Sequence, residues 1–289
     1  MKITNNFNLP DPVVRAITAF DKDDQPEGLR VTTLIDSPRI SQLRRMHYPK
    51  LTEDVSQLVY RVWGSAIHEI LSRETSNSYI AEERLSHEVD GTLISGAIDL
   101  QFIEDDAVQM FDYKTTAAYG VTQGIKPEWE RQINVYAYLI RQVKGLTVKS
   151  ASAVAWIRDW RQSDADTREG YPPAPVYEMP VHLWADDEQD RYVEERVRAH
   201  KNAEIQADFD DLPLCTDEER WAQPTKWAVH KGKNKRAMKG GLFDVEADAE
   251  AFAGESEDRN IQVRPGRYVR CESWCAVAPF CDQYGGDND

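Results

Sequence analysis

"GAIDLQFIEDDAVQMFDYKTT", Gly96 to Thr116, reads as two β-strands around the polar turn "EDDA", with Asp99, Asp112 and Lys114 set among strand-type side chains. Residues i and i+2 of a strand point to one face, so Asp112 and Lys114 share a side and Tyr113 turns away. Asp99 lies among Ala97, Ile98 and Leu100, and Asp112 follows Met110 and Phe111. Charges inside a buried strand are costly unless paired or coordinated. Two readings stay open on these residues alone. A D-x-K by itself is commonly a solvated ion pair on an exposed strand. In an apolar setting it is also what a divalent cation requires, since Mg²⁺ is held by one or two carboxylates plus water and substrate phosphate. A cation so placed lowers the pKa of bound water and stabilises charge on phosphate.

Outward from this stretch, "YIAEERLSHEV" (79–89) reads as a third strand, joined through Asp90-Gly91, a strong hairpin signal. "KPEWERQINVYAYLIRQV" reads as a helix with Pro127 in its first turn. "TVKSASAVAWIRDW" and "APVYEMPVHL" read as further strands, and Asp186 to Gln206 as an acidic helix turned to solvent. Upstream, Val55, Leu58, Val59, Val62, Trp63, Ala66, Ile67, Ile70 and Leu71 recur at helical spacing and predict one helix from about Glu53 to Arg73, with His68 in it. The first fifty residues, interrupted by Pro10, Pro12, Pro38 and Pro49, read as irregular, with an extended piece before a helix starting near Ser37 or Pro38. This order predicts an α/β fold, a central mixed sheet flanked by helices. Three regions are expected: an N-terminal segment, 1–52, packing on the core; the core, 53–211; and a small C-terminal metal-cluster region, 212–289. The last region reads as a basic hairpin around Trp227 to Phe243 and a helix from about Val245 to Phe252.

The formal net charge of −15 opposes nonspecific binding to nucleic acid, which is driven by neutralising phosphates. Local patches run the other way. Lys226 to Gly240 holds six basic residues and no acidic one, and "SPRISQLRRMHYPK" holds Arg39, Arg44, Arg45 and Lys50. No apolar run approaches the ~20 residues of a membrane span, and "MKITNNFNLPDPVV" lacks the apolar stretch of a signal peptide. A soluble cytoplasmic protein, without membrane contact, is the expectation. Cys215, Cys271, Cys275 and Cys281 remain, three of them crowded in "CESWCAVAPFC". In such a chain this crowding suggests a metal rather than disulfides, and tetrahedral thiolate sets suit zinc or iron–sulfur iron.

G-x-x-D (Gly96 to Asp99) followed by D-Y-K-T-T (Asp112 to Thr116) resembles the motifs of the PD-(D/E)xK nuclease superfamily. "GSAIHEIL" (64–71) and "RQINVYAYL" (131–139) are similar to the G-x-x-x-H-x-x-L and Q-x-x-x-Y helices of its RecB-type branch. "CESWCAVAPFC" is similar to the cysteine cluster that binds [4Fe–4S] in several members, CRISPR-associated adaptation nucleases among them. The resemblance implies His68, Asp99, Asp112 and the Tyr113 carbonyl as ligands of Mg²⁺ or Mn²⁺, with Lys114 positioning the attacking water. It implies that Gln132 supports the lysine and that Tyr136 contacts substrate. Glu82 or Glu83 would add a carboxylate. Cys215, Cys271, Cys275 and Cys281 would hold [4Fe–4S], with Zn²⁺ as the alternative. The match is imperfect there, because family members usually place their first cysteine before the catalytic motifs, and here none precedes Cys215.

The function so implied is a metal-dependent exonuclease acting on DNA ends in recombination, repair or phage DNA metabolism. Its setting would be a bacterial or phage-infected cell. No G-x-x-x-x-G-K-[ST] occurs in the chain, so a helicase or recombinase would be a separate partner, and oligomers are compatible with the fold. A non-cleaving DNA-end-binding scaffold and a structure-specific endonuclease are the alternatives. The intact His68, Asp99, Asp112 and Lys114 argue against the scaffold. The basic stretch, with Trp221 and Trp227 nearby, would guide a strand end or simply be a solvated loop.

Overall fold

A computed structural model describes residues 1–19, 28–73, 78–206 and 211–285. The chain divides into two compact units, Met1–Pro213 and Leu214–Asp289.

The first unit opens with β1 (Lys2–Thr4), α1 (Asp11–Ala19), β2 (Leu29–Arg30), α2 (Val31–Leu34), α3 (Pro38–His47) and β3 (Thr52–Asp54), the last parallel to β1. Two of the prolines that made this region read as irregular sit instead in first turns. Pro38 begins α3 and Pro12 is the second residue of α1, where a missing N–H costs no helical hydrogen bond. Val31–Leu34, expected to be extended, is a helical turn because Val31 and Leu34, three apart, share a side and are both buried.

The single helix expected from Glu53 is three elements: the end of β3, a 3₁₀ turn over Val55–Leu58, and α4 (Val59–Leu71). Asp54 explains the break. Its carboxylate accepts from the backbone N–H of Asn6 at 2.7 Å and of Ser56 at 3.0 Å, and from Thr4 Oγ1 at 3.1 Å. It thereby caps the 3₁₀ turn and ties down the N-terminus, and the bond from Asn6 leads in holding its pKa near 2. Val55 and Leu58 are buried, whereas no side chain of α4 is.

The meander reads from the sequence as it folds: β4 (Tyr79–Val89), β5 (Thr92–Glu104) and β6 (Ala107–Thr116). Asp90 and Gly91 take φ of 49° and 72°, and Asp105 and Asp106 take 50° and 59°, the paired left-handed conformation of tight hairpins. Then follow α5 (Ala118–Thr122), α6 (Pro127–Lys144), β7 (Thr147–Ile157), α7 (Gln162–Thr167), β8 (Val176–Val181) and α8 (Asp186–Ile205). The sheet order is β2-β5-β6-β7-β8, with β4 also on β5. Pairing is antiparallel except for β2 with β5 and β6 with β7, so the sheet is mixed. Ile133, Leu139 and Ile140 of α6 and Ala153 and Ala155 of β7 are wholly buried in one core. The acidic α8 turns Val193 and Val197 into that core and so faces solvent along only part of its circumference.

One edge of β5 is shared, and this positions the site. β6 pairs with Leu100 to Glu104, while β2 pairs with Ile94 and Ser95. Asp99 stands where β6 leaves and before β2 begins. Beyond that fork, Asp112 to Thr116 pair only with β7.

The second unit holds β9 (Ala222–Gln223), β10 (Lys226–Lys231), β11 (Leu242–Phe243), α9 (Glu246–Gly254), β12 (Arg259–Arg264), β13 (Arg267–Tyr268), α10 (Val269–Ser273) and α11 (Asp282–Gly285). The expected hairpin is β10 with β11, and β12 pairs along all of β10 besides. Within the basic stretch, Lys226 pairs with Asp244 and Lys231 lies 3.3 Å from Asp258. Lys233, Lys235, Arg236 and Lys239 are exposed. The N-terminal basic patch is partly internal: Arg39 is 1% exposed and donates to the Leu212 carbonyl at 2.9 Å, and Arg45 pairs with Glu204. Among the described residues no helix is long and apolar enough to cross a membrane.

Candidate active site

His68, in the last turn of α4, reaches the fork. Its Nδ1 lies 3.0 Å from Glu82 Oε1 and 3.3 Å from Asp99 Oδ1. Hydrogen bonding first to Asp99 and then to Glu82 raises the imidazole to about 10. The ligand atoms of His68, Glu82 and Asp99 all lie within 4.8 Å of one another, the one such group of three among the described residues. Asp99 also accepts from the Tyr113 N–H at 2.6 Å, through Oδ2. This bond spans the gap where the β5–β6 ladder has ended.

Asp112 and Lys114 point together toward α6, as their spacing predicts. Asp112 is 1% exposed, and Lys114 Nζ lies 2.6 Å from its Oδ2. This is a charge contact poorly aligned for hydrogen bonding, so the buried Oδ2 lacks a directed donor. Burial raises the Asp112 carboxyl well above the usual carboxylate range, and the opposing Lys114 charge does not cancel that effect. Lys114 Nζ also donates to Gln132 Oε1 at 2.8 Å, and Gln132 Nε2 donates to Tyr136 Oη at 2.8 Å. Tyr136 is 4% exposed, and burial raises its hydroxyl pKa. Through Gln132, the buried Tyr136 hydroxyl is linked to the Lys114 ammonium.

The two glutamates left undecided by the sequence have different surroundings. Glu82 lies between the ladder pairs Ala81–Leu100 and Glu83–Ile98, facing Asp99, and its φ of 53° is left-handed. Glu83 Oε2 lies 2.7 Å from Lys144 Nζ and accepts from Gln101 Nε2 at 2.7 Å. Its own burial is outweighed by those two bonds, which lower its pKa. Glu82 thus belongs with His68 and Asp99, and Glu83 with the end of α6.

This donor set fits a divalent cation. It offers one imidazole nitrogen, converging carboxylates, and a buried carboxylate oxygen without a directed donor. Carboxylate oxygens suit Mg²⁺ and Mn²⁺.

Among the described residues the four cysteines form no disulfide, and each is partly buried. Gln283 of α11 grips Cys215 at both backbone groups, accepting from its N–H and donating to its carbonyl, each at 2.9 Å. Burial raises the Cys275 thiol, and the neighbouring Cys271 and Cys281 raise it further.

The family model of the PD-(D/E)XK nuclease superfamily matches residues 19–282. The chain belongs to that superfamily. Among solved structures it is similar to the protein SSO0001, at 14% identity and a TM-score of 0.42, covering 64% of this chain and 84% of that one. It is also similar to a provisionally assigned exonuclease from Eubacterium rectale, at 12% identity and a TM-score of 0.30, covering 66% of each chain. Both likenesses are too distant to bear on activity. No curated protein matches.

Proposed function

We propose that this nuclease is a metal-dependent exonuclease hydrolysing phosphodiesters at DNA ends, with its active site in residues 53–211. The observation that carries the metal-dependent chemistry is the convergence of His68, Glu82 and Asp99 within 4.8 Å, beside the buried Asp112 and its lysine. His68, Asp99, Asp112 and the Tyr113 carbonyl would hold Mg²⁺ or Mn²⁺, with Glu82 as a further carboxylate. When bound, the cation supplies a water of lowered pKa and stabilises charge on the phosphate. Lys114 is the catalytic cation of the chain: it hydrogen-bonds the attacking water or a phosphate oxygen at the open edge of β6. Gln132 and Tyr136 are positioning residues that fix the ammonium. Water adds to phosphorus, one P–O ester bond breaks, and the leaving oxygen takes up a proton.

Action on ends is supported by the RecB-type spacing of His68, Gln132 and Tyr136. It suits recombination, repair or phage DNA metabolism in the cytoplasm, with a helicase or recombinase as partner. Cys215, Cys271, Cys275 and Cys281 hold a structural [4Fe–4S] cluster in this reading. Spacing favours it over zinc.

The test is cleavage of end-labelled linear and closed circular DNA, single- and double-stranded, with Mg²⁺, Mn²⁺ or chelator, using wild type and Lys114→Ala. Metal-dependent shortening of linear DNA, with circles spared and the variant inactive, is expected. Nicked circles would make it an endonuclease, and end binding without cutting would make it a scaffold.

A further inference from the structure

Beside the site lies a cluster that the chemistry above leaves unused. Tyr60 and Trp63, nearly one turn apart on α4, are 49% and 45% exposed. Their rings meet edge to face, with centroids 5.6 Å apart. The Arg158 guanidinium, just past the end of β7, lies 4.6 Å from the Tyr60 ring centroid and 5.7 Å from that of Trp63. Large aromatic rings contribute most when buried, yet these two stand open on a helix with no buried side chain. Among the described residues Arg158 has no carboxylate partner, although acidic residues outnumber basic ones 50 to 35 in the chain.

The cluster is tied to the catalytic strand. Arg158 N–H donates to the Thr116 carbonyl at 2.9 Å, two residues beyond Lys114. Gly64, next to Trp63, comes so close to β6 that a Cβ on it would lie 3.9 Å from Thr115 Oγ1. His68 is on the same helix. A rise of about 1.5 Å per residue puts Trp63 and Tyr60 roughly 8 and 12 Å from His68 along the helix axis. That is two to four nucleotides at about 3.4 Å each.

We propose that Tyr60, Trp63 and Arg158 form a stacking platform for unpaired nucleobases, so that the active site takes single-stranded DNA in preference to blunt duplex. The inference rests on the nuclease reading above for its substrate. Exposed rings offer faces that every base can stack on, whatever the sequence. The unpaired guanidinium supplies charge for the adjoining phosphate, which selects a polyanion over an apolar protein segment. Bases inside a duplex have both faces covered by their neighbours, so only an unpaired strand can use the platform.

The test measures binding by fluorescence anisotropy on the full chain, without added divalent cation. The ligands are oligothymidylate, the same strand carrying abasic residues, and a blunt duplex. Wild type is compared with Tyr60→Ala/Trp63→Ala and with Tyr60→Phe/Trp63→Phe, each checked by thermal melting. Oligothymidylate is expected to bind best. The alanine pair should lose about tenfold or more on it, the scale of one stacked base, but little on the abasic strand, while the phenylalanine pair keeps its affinity. Equal binding by wild type and the alanine pair, or an equal loss on the abasic strand, would overturn the platform. Its failure is separable from that of the nuclease reading. Cutting without this binding pattern sinks the platform alone, and the pattern without cutting sinks the nuclease.

Discussion

Gly96 and Tyr136 are mutually exclusive in bulk: a methyl group on Gly96 would lie 2.5 Å from Tyr136 Cε1 and 2.9 Å from Val31 Cγ2. The glycine of one motif is therefore the seat of the tyrosine of another, 40 positions later in the chain. From that seat the Tyr136 hydroxyl holds Gln132, and Gln132 holds Lys114. Gly96→Ala is expected to push the ring out and transmit the shift to the lysine. Overpacking of this kind costs about 1–3 kcal/mol. Cleavage should fall more steeply than stability, because the displaced group positions the catalytic cation. Thermal unfolding and single-turnover cleavage of the same preparation measure the two effects. An unchanged cleavage rate would break the proposed chain from Gly96 to Lys114.

Asp112 and Lys114 should respond to substitution in opposite directions. Burial raises the Asp112 carboxyl even with Lys114 beside it, so its ionised form at neutral pH opposes folding of the metal-free protein. Asp112→Asn removes that charge. It should abolish cleavage yet raise metal-free stability, on the order of 1–3 kcal/mol. The gain is absent below the unfolded carboxyl pKa of about 4 and grows as pH rises through the higher folded value. Lys114→Ala should also abolish cleavage, but it removes the compensating cation and destabilises the protein at neutral pH. Denaturant melts at pH 4 and pH 7.5 check both signs, and equal effects at the two pH values would contradict the assignment.

The meander was legible because its signals are local. Asp90-Gly91 names its turn, and strand-type side chains run on either side of it. Helix α6 was legible from Pro127 at its start, while the end set by Gly145, with its φ of 68°, was not read. What escaped reading depends on tertiary placement. Glu82 and Glu83 are chemically identical neighbours, and only the left-handed backbone at Glu82 assigns one to His68 and the other to Lys144. Arg39 looked like part of a surface patch, and its burial is set by a carbonyl 173 positions away. The apolar spacing of α4 suggested a buried face, but spacing does not reveal how much covers it. The pairing of Gly96 with Tyr136 is likewise invisible until both elements are in place.

His68 predicts how metal affinity depends on pH. In the metal-free protein Asp99 and Glu82 hold its proton up to about pH 10, and a metal can use Nδ1 only once that proton leaves. Binding of Mn²⁺ should therefore release one proton, and apparent affinity should climb by up to about tenfold per pH unit below that value. His68→Asn should flatten the dependence. Calorimetric titration at pH 7 and 8, in buffers of different ionisation heat, counts the proton. Without metal the same pair stabilises the fold, fully below the unfolded histidine value of about 6.5. That contribution is lost as pH rises through about 10, so wild type and variant should converge in alkali. No proton release, or a slope shared by His68→Asn, would remove His68 from the ligand set.

The second unit makes a prediction about Gln283. Its amide binds both backbone groups of Cys215, two residues after Cys281 in sequence, and so brings the isolated upstream cysteine to the C-terminal three. Burial disfavours the Cys275 thiolate, with Cys271 and Cys281 adding to that; such a thiol is a poor free nucleophile and gains from a metal that takes it as a ligand. Cys275→Ala should abolish bound iron and sulfide and lower solubility, while Gln283→Ala should lower their content in part. Gln283→Glu keeps the acceptor for the Cys215 N–H but loses the donor to its carbonyl, and should fall between. Cleavage per folded molecule should hardly change in any of them, because His68, Asp99, Asp112 and Lys114 belong to the other unit. Elemental analysis for iron, sulfide and zinc, set beside thiol titration of the native protein, decides the matter. Zinc alone would replace the cluster, and four freely reactive thiols would mean that the cysteines hold no metal.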